Sequence, residues 1–311
     1  MKRLWEKNQA TPLDSVPSED NQRELRFPGL ESPRVQEMAS EIQELSKADS
    51  RLNNFHREYF KNSLYRIAMN VVFLRDALGP NDRLLDLGSF GIEPALLLRD
   101  LPDLTLNAAS YEGNVIGLGE DGFFETTDSR IKNTIRIDQV DVERDAFPYA
   151  DDSFDWVTAF EILEHLRFSP EPMLNEIKRV LRPGGTLVLS TPNICSALSY
   201  LKMLKGESPQ ECPYYHSIFE YGIIHPKEYS TGDLRAILEH FGFEIDILET
   251  IDTSHVSDQE KVIRHKIAEL KAELVDQFGP EFAVFDTGER MIAIARNVSE
   301  RADGLPAKIF S

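Results

Sequence analysis

Cysteine is almost missing from this sequence, with two residues, Cys195 and Cys212, in 311. One bridge in a chain of that length is no disulfide scaffold, and no ligand spacing around either thiol fits zinc, so both read as buried or idle thiols. No apolar run approaches the roughly 20 residues of a membrane span. The opening MKRLWEKNQATPLD starts basic but has no apolar stretch behind it, so no secretory signal is read there and a cytoplasmic location is expected. Basic clusters are lacking as well. Lys and Arg number 34 against 53 Asp and Glu, a formal charge of −19, and the cations are scattered rather than interleaved with aromatics. Such a surface repels phosphate backbones at long range, which disfavours both nucleic acid and an anionic membrane as partners.

What is present reads as a soluble globular protein, 41% hydrophobic and long enough to bury a sizeable core. Residues 1–33 are polar and aperiodic, with prolines at 12, 17, 28 and 33, and read as a flexible arm. Val35, Met38, Ile42 and Leu45 are at helical spacing over 34–48. A second helix follows Asn53 and Asn54, carries a stripe of Leu64, Ile67, Val71 and Leu74, and ends at Gly79-Pro80. It packs against the next domain or forms a lid with Tyr59 or Tyr65 pointing inward. The organisation expected is therefore an arm and first helix over 1–50, a helical lid or packing segment over 51–80, and one large domain over 81–311.

From Arg83 onward strands alternate with helices. Strands are expected at 83–87, 104–110, 134–140, 154–160, 186–190, 243–248 and 290–295. Helices are expected at 94–101, 172–181, 231–240 and 261–278, and the turn Arg182-Pro183-Gly184-Gly185 leads into the fifth strand. This pattern predicts a doubly wound α/β fold, a seven-stranded and mostly parallel sheet covered on both faces, with the N-terminal helices as an extension. The irregular stretch 194–230 reads as an insert, and so does the helix at 258–278, which could pair two subunits in a homodimer.

In such a sheet ligands bind past the carboxyl ends of the strands, so the residues there decide function. After the first strand stands Asp86-Leu87-Gly88-Ser89-Phe90-Gly91-Ile92-Glu93. Glycines let the backbone approach a ligand, but the G-x-G-x-x-G of a dinucleotide site is absent, which disfavours a nicotinamide dehydrogenase. An acid two residues before the first glycine suits a cationic ligand better. After the second strand Glu112 can accept both hydroxyls of a ribose, or is a solvated loop acid. After the third, Asp141 could accept an exocyclic amine while the Val142 N–H donates to an adenine ring.

Three blocks, LLDLGSFGIEPALLL, VDVERDAFPYADDSFDWVTAFEILEHL and EIKRVLRPGGTLVLSTPN, resemble the successive motifs of class I S-adenosylmethionine-dependent methyltransferases, and most closely the branch acting on small molecules and glycans. The similarity covers roughly residues 83–193 and is extended by HPKEYSTGDLRAILEHFGFEI. The resemblance implies S-adenosylmethionine as cofactor, with Asp86, Gly88, Ser89 and Gly91 at its methionine end. It implies Glu112 on the ribose, Asp141 and Val142 on the adenine, and Phe160 and Glu161 flanking the sulfonium. The glycine loop departs from the pattern, with Phe90 where a glycine is expected.

The expected chemistry is methyl transfer to a hydroxyl of a saccharide or other small metabolite. His165 and His225 are the candidate bases, each open to a structural reading. Tyr214, Tyr215 and His216, in the irregular insert, could stack on a sugar ring or pack in the core. Phe160-Glu161-Ile162-Leu163 lacks the Asn/Asp-Pro-Pro-aromatic of base-modifying amino-methyltransferases. No metal ligand set stands out. The alternatives are N-methylation of a small amine and, because of Phe90, a catalytically inactive cofactor-binding or scaffold protein.

Overall fold

The computed structural model describes residues 25–48, 54–89, 91–111, 123–125, 134–211, 225–279 and 287–298. It opens on two packed helices, α1 (Pro33–Ala48) and α2 (Asn54–Ala77). The apolar spacing read from the sequence is what buries them: Val35, Met38, Ile42 and Leu45 of α1, and Ile67, Val71 and Leu74 of α2, are all in the core. Ahead of α1, Phe27 is buried and stacks on Phe73 of α2, ring centroids 4.9 Å apart. The end of the supposed arm is thus docked by several contacts together: Phe27, Leu25 on the same apolar cluster, and the Gln36 side chain donating to the Leu30 carbonyl at 2.7 Å.

The alternating region folds as β1 (Arg83–Leu87), α3 (Ile92–Asp100), β2 (Thr105–Ser110), β3 (Phe123–Glu125), β4 (Thr134–Gln139) and β5 (Phe154–Phe160), followed by α4 (Glu171–Val180) and β6 (Leu181–Pro192). Then come α5 (Ala197–Leu204), α6 (Thr231–His240), β7 (Phe243–Ile251), α7 (Asp258–Phe278) and β8 (Arg290–Asn297). The sheet order is β3-β4-β2-β1-β5-β6-β8-β7. The five strands from β4 to β6 are parallel, whereas β8 runs antiparallel between β6 and β7. The seven expected strands are all present, and the short β3 adds an eighth at the edge, antiparallel to β4.

Period-two alternation divides the strands between two apolar clusters. Leu84, Val188, Ile292 and Ile294 face the cluster built with α1, α2 and α3. Leu85, Leu87, Val157, Leu187, Leu189 and Ala293 face the one built with α4 and α6. Asp86 lies between Leu85 and Leu87 in β1, so the pleat turns it toward the α2 side. That single register choice sets a carboxylate inside the apolar layer.

Two local differences from the sequence reading have clear causes. β6 starts at Leu181, and Arg182-Pro183-Gly184-Gly185 bulges out of it: Phe154 pairs with Leu181, but Trp156 pairs with Thr186. Gly184 has φ 74°, and a Cβ on Gly185 would lie 2.9 Å from the Arg182 carbonyl oxygen. The stretch expected to be irregular contains α5, whose first turn is capped by Ser196 accepting from the Ser199 N–H. Capping boxes also start α6, through Ser230 and Asp233, and α7, through Ser257 and Glu260. Among the described residues no helix is long and apolar enough to cross a membrane.

Candidate active site

The loop after β1 is set by backbone geometry. Gly88 has φ 69° and Gly91 φ 82°, a region that costs an L-residue about 1–2 kcal/mol. Gly88 is also crowded: a Cβ there would lie 2.9 Å from two side-chain carbons of Ile162. The Ser89 N–H donates to the Ala109 carbonyl at 3.2 Å, and the Gly91 N–H, at the start of α3, donates to Ser89 Oγ at 3.2 Å. The loop is thus tied to β2 and closed on itself, with Ile162 filling the space that a side chain at Gly88 would take. Phe90 lies outside the described residues.

Asp86 is only 6% exposed. Its Oδ1 accepts the Thr158 hydroxyl at 2.7 Å, and its Oδ2 is buried with no hydrogen-bond partner. Burial pushes its carboxyl up to about 6, against the hydrogen bonds from Ser89 and Thr158. Glu93, in the first turn of α3, is pushed up to about 7, first by burial and then by the negative charge of Asp86, while Arg66 pulls the other way. Asn70 of α2 donates to Glu93 Oε1 at 3.3 Å. Asp86, Gly88, Ser89 and Glu93 line one pocket together with Arg66, Ile67 and Phe160. Two buried carboxyls sharing a pocket repel when both are ionised, and a cationic ligand between them removes that cost.

At the neighbouring strand ends, Tyr111 is exposed after β2 and Glu112 lies outside the described residues. Asp141, two residues past β4, is half-buried and folds its loop: Oδ1 accepts the Glu143 N–H at 3.0 Å, and its own N–H donates to Asp145 Oδ2 at 2.8 Å. Val142 packs against the α4-side cluster. Since β4, β2 and β1 are adjacent and parallel and Asp86 is level with Ile137, Asp141 lies two strand spacings across, about 10 Å, and four residues further toward the carboxyl ends.

The end of β5 carries a second charged centre. Glu161 has φ 54°, and its N–H donates to the Ser190 carbonyl at 3.0 Å, so the chain leaves the sheet in a sharp turn. Its Oε1 accepts the Ser190 hydroxyl at 2.8 Å. Its Oε2 lies 2.8 Å from Arg290 Nε, close enough for an ion pair though not in line for a hydrogen bond, and 3.9 Å from Arg66 Nε. Burial drives this carboxyl up, yet Arg290 and then Arg66 hold it below its ordinary value. Glu164, 1% exposed in the 3-10 turn Leu163–His165, accepts the Thr191 hydroxyl at 2.9 Å. Burial, followed by the charge of Glu161, raises its carboxyl well above the ordinary range.

The two candidate bases meet here. The rings of His165 and His225 stack edge to face, centroids 4.7 Å apart. His225 is buried, and its Nδ1 lies 2.7 Å from Glu228 Oε1, an oxygen that also accepts the Glu211 N–H at 2.6 Å. His165 is half-exposed. Tyr214, Tyr215 and His216 lie outside the described residues.

The methyltransferase-domain family model matches residues 55–247, more than half of the sequence. The chain belongs to that family, and its sheet is that of the class I S-adenosylmethionine-dependent methyltransferases. Among curated proteins it is 28% identical over 144 residues to 27-O-demethylrifamycin SV methyltransferase of Amycolatopsis mediterranei, covering 44% of this chain and 50% of that one. It is 30% identical over 108 residues to methyltransferase GfsG of Streptomyces halstedii, covering 35% and 37%. The aligned region thus spans half or less of these relatives' own length. A solved methyltransferase of Archaeoglobus fulgidus, described as S-adenosylmethionine-dependent, superposes with a TM-score of 0.46 at 17% identity, covering 77% and 99% of the two chains.

Four members of the two centres were not visible as site residues in the sequence. Arg66 and Glu93 are charges within apolar helical stretches, Glu164 sits beside His165, and Arg290 opens an otherwise apolar strand. A charge inside a run that must be buried was the available signal for Arg66 and Glu93.

Proposed function

We propose that the chain transfers a methyl group from S-adenosylmethionine to a hydroxyl of a small molecule or saccharide. The observation that carries this reading is the pair of buried carboxyls, Asp86 and Glu93, flanking the Gly88 loop, with one carboxylate oxygen left without a donor. Those acceptors fit an ammonium, and the Gly88 backbone, which lines the same pocket, suits close passage of a ligand. Asp86, Gly88, Ser89 and Gly91 would hold the methionine end, Glu112 the ribose, Asp141 and Val142 the adenine, with Phe160 and Glu161 beside the sulfonium.

When bound, S-adenosylmethionine supplies a methyl carbon whose bond to sulfur breaks as the acceptor oxygen bonds to it, the electron pair leaving on sulfur as a neutral thioether. What the residues add is alignment and disposal of one proton. Alignment of reacting groups can supply about 7–11 kcal/mol of a barrier. Glu228, fixed on His225 Nδ1, leaves Nε2 of that ring to accept the hydroxyl's proton, and His165 packs against it. A base so placed contributes about 10²–10⁴-fold. Tyr214, Tyr215 and His216 would contact the acceptor. The relative named for 27-O-demethylrifamycin SV supports an oxygen acceptor.

The test is incubation with methyl-labelled S-adenosylmethionine and a panel of hydroxylated and amine-bearing acceptors. Label on oxygen is the expected result. Label found only on nitrogen would replace the O-methyl reading, and absence of cofactor binding at millimolar concentration would point to an inactive scaffold.

A further inference from the structure

The sequence shows no metal ligand set, yet the fold assembles one. Glu164 and His165 come from the turn after β5, and His225 stands 60 residues further on, ahead of α6. One ligand atom from each lies within 4.8 Å of the other two. Two imidazoles and one carboxylate suit a first-row divalent ion such as Mn²⁺, Co²⁺ or Zn²⁺, whereas Mg²⁺ prefers oxygen alone.

Three further observations set this cluster apart from three polar groups in chance proximity. The Thr191 hydroxyl occupies Glu164 Oε2 and fixes the carboxyl, and Glu164 Oε1 stands 3.9 Å from His165 Nε2. Glu228 on His225 Nδ1 is the outer carboxylate that orients a metal-binding imidazole and sets its tautomer, so that Nε2 carries the lone pair. The two acids, Glu164 and Glu228, also have no lysine or arginine paired with them among the described residues, since Arg290 and Arg66 pair with Glu161. His165, 38% exposed, gives an ion a path from solvent.

We infer that Glu164, His165 and His225 form a divalent cation site, with Glu228 behind it. Three protein ligands leave coordination positions open for the acceptor. The inference rests on the hydroxyl-methylation reading for its purpose and gives the imidazoles a different part in it. As ligands they hold the ion, which binds the acceptor oxygen and lowers the pKa of its hydroxyl, and the proton leaves to solvent water.

The full chain is stripped with a chelator and titrated with Co²⁺, followed by visible absorption and calorimetry, with neither cofactor nor acceptor present. Saturable one-to-one binding is expected, together with visible bands of nitrogen-ligated Co²⁺. His165→Ala should abolish it, and Glu228→Gln should weaken it about 10- to 100-fold. Because His165 is half-exposed, its variant should keep the wild-type thermal transition, which separates lost binding from lost fold. No saturable Co²⁺ or Zn²⁺ binding by the wild type, or unchanged binding in His165→Ala, overturns the site. Either result leaves methyl transfer untouched and returns His225 to the part of proton acceptor, with His165 packed against it.

Discussion

Replacing Asp86 by Asn removes a charge and changes little else. The Asn carbonyl can still accept the Thr158 hydroxyl that Asp86 Oδ1 accepts at 2.7 Å. Raising a carboxyl from its ordinary 3.8 to about 6 separates its two charge states by about 3 kcal/mol. The sign follows from the native state holding its proton more tightly than the unfolded chain. The contribution to stability is complete below about pH 4 and disappears as pH rises through 6. Without ligand, the wild type should therefore lose about 3 kcal/mol of unfolding free energy between pH 4 and pH 8 that Asp86→Asn keeps. Glu93 adds to the wild-type loss, since part of its own rise to about 7 comes from Asp86. Urea unfolding at a series of pH values gives the difference directly. Cofactor binding should move the other way. Losing a charged hydrogen bond to an ammonium costs about 1.5–3 kcal/mol, about 10- to 150-fold in Kd by calorimetry at pH 8. Parallel stability curves for the two proteins, or equal affinities, would refute the assignment of Asp86 as a buried anion facing a cationic ligand.

Gly88→Ala should cost about 1–3 kcal/mol of stability and most of the cofactor affinity, because the added methyl meets Ile162 at a backbone angle that alanine resists; a wild-type melting temperature and Kd would show the cradle to be slack. Asp155 is held down to about 2: burial raises its carboxyl, but hydrogen bonds from Arg83 and Arg182 outweigh that. Its contribution to stability should be present above about pH 4 and lost as pH falls toward 2, so Asp155→Asn should flatten the acid limb of the unfolding profile, read by circular dichroism.

The repeating part of the fold was legible because its cause is periodic. Arg83–Leu87, Phe154–Phe160 and Thr231–His240 are bounded in the structure as their patterns predict. The parallel order follows from strands separated by helices. Legibility declined where long-range contacts decide. β6 begins at Leu181, five residues before the expected start at Thr186, because an extruded bulge can stay within a strand, which no local pattern records. Asp86, near the end of β1, and Asp141, two residues past β4, were singled out from their places along the strands. The cations around Glu161 were not, since Arg66 sits on a helix read only for its apolar stripe and Arg290 is 129 positions from Glu161. The histidines were singled out one at a time; that they touch is a fact of tertiary structure.

Wedging β8 antiparallel between β6 and β7 has a consequence for how this molecule matures. Glu161 is made early in synthesis, yet its main counter-charge is delivered by the last strand of the sheet. Until that strand zips into place, Arg66 at 3.9 Å is the partner left to this buried anion, and the closer charge at 2.8 Å is missing. A fragment ending before residue 290 should thus lack the nearer partner of Glu161, which ties the charge balance of this turn to the completion of the sheet.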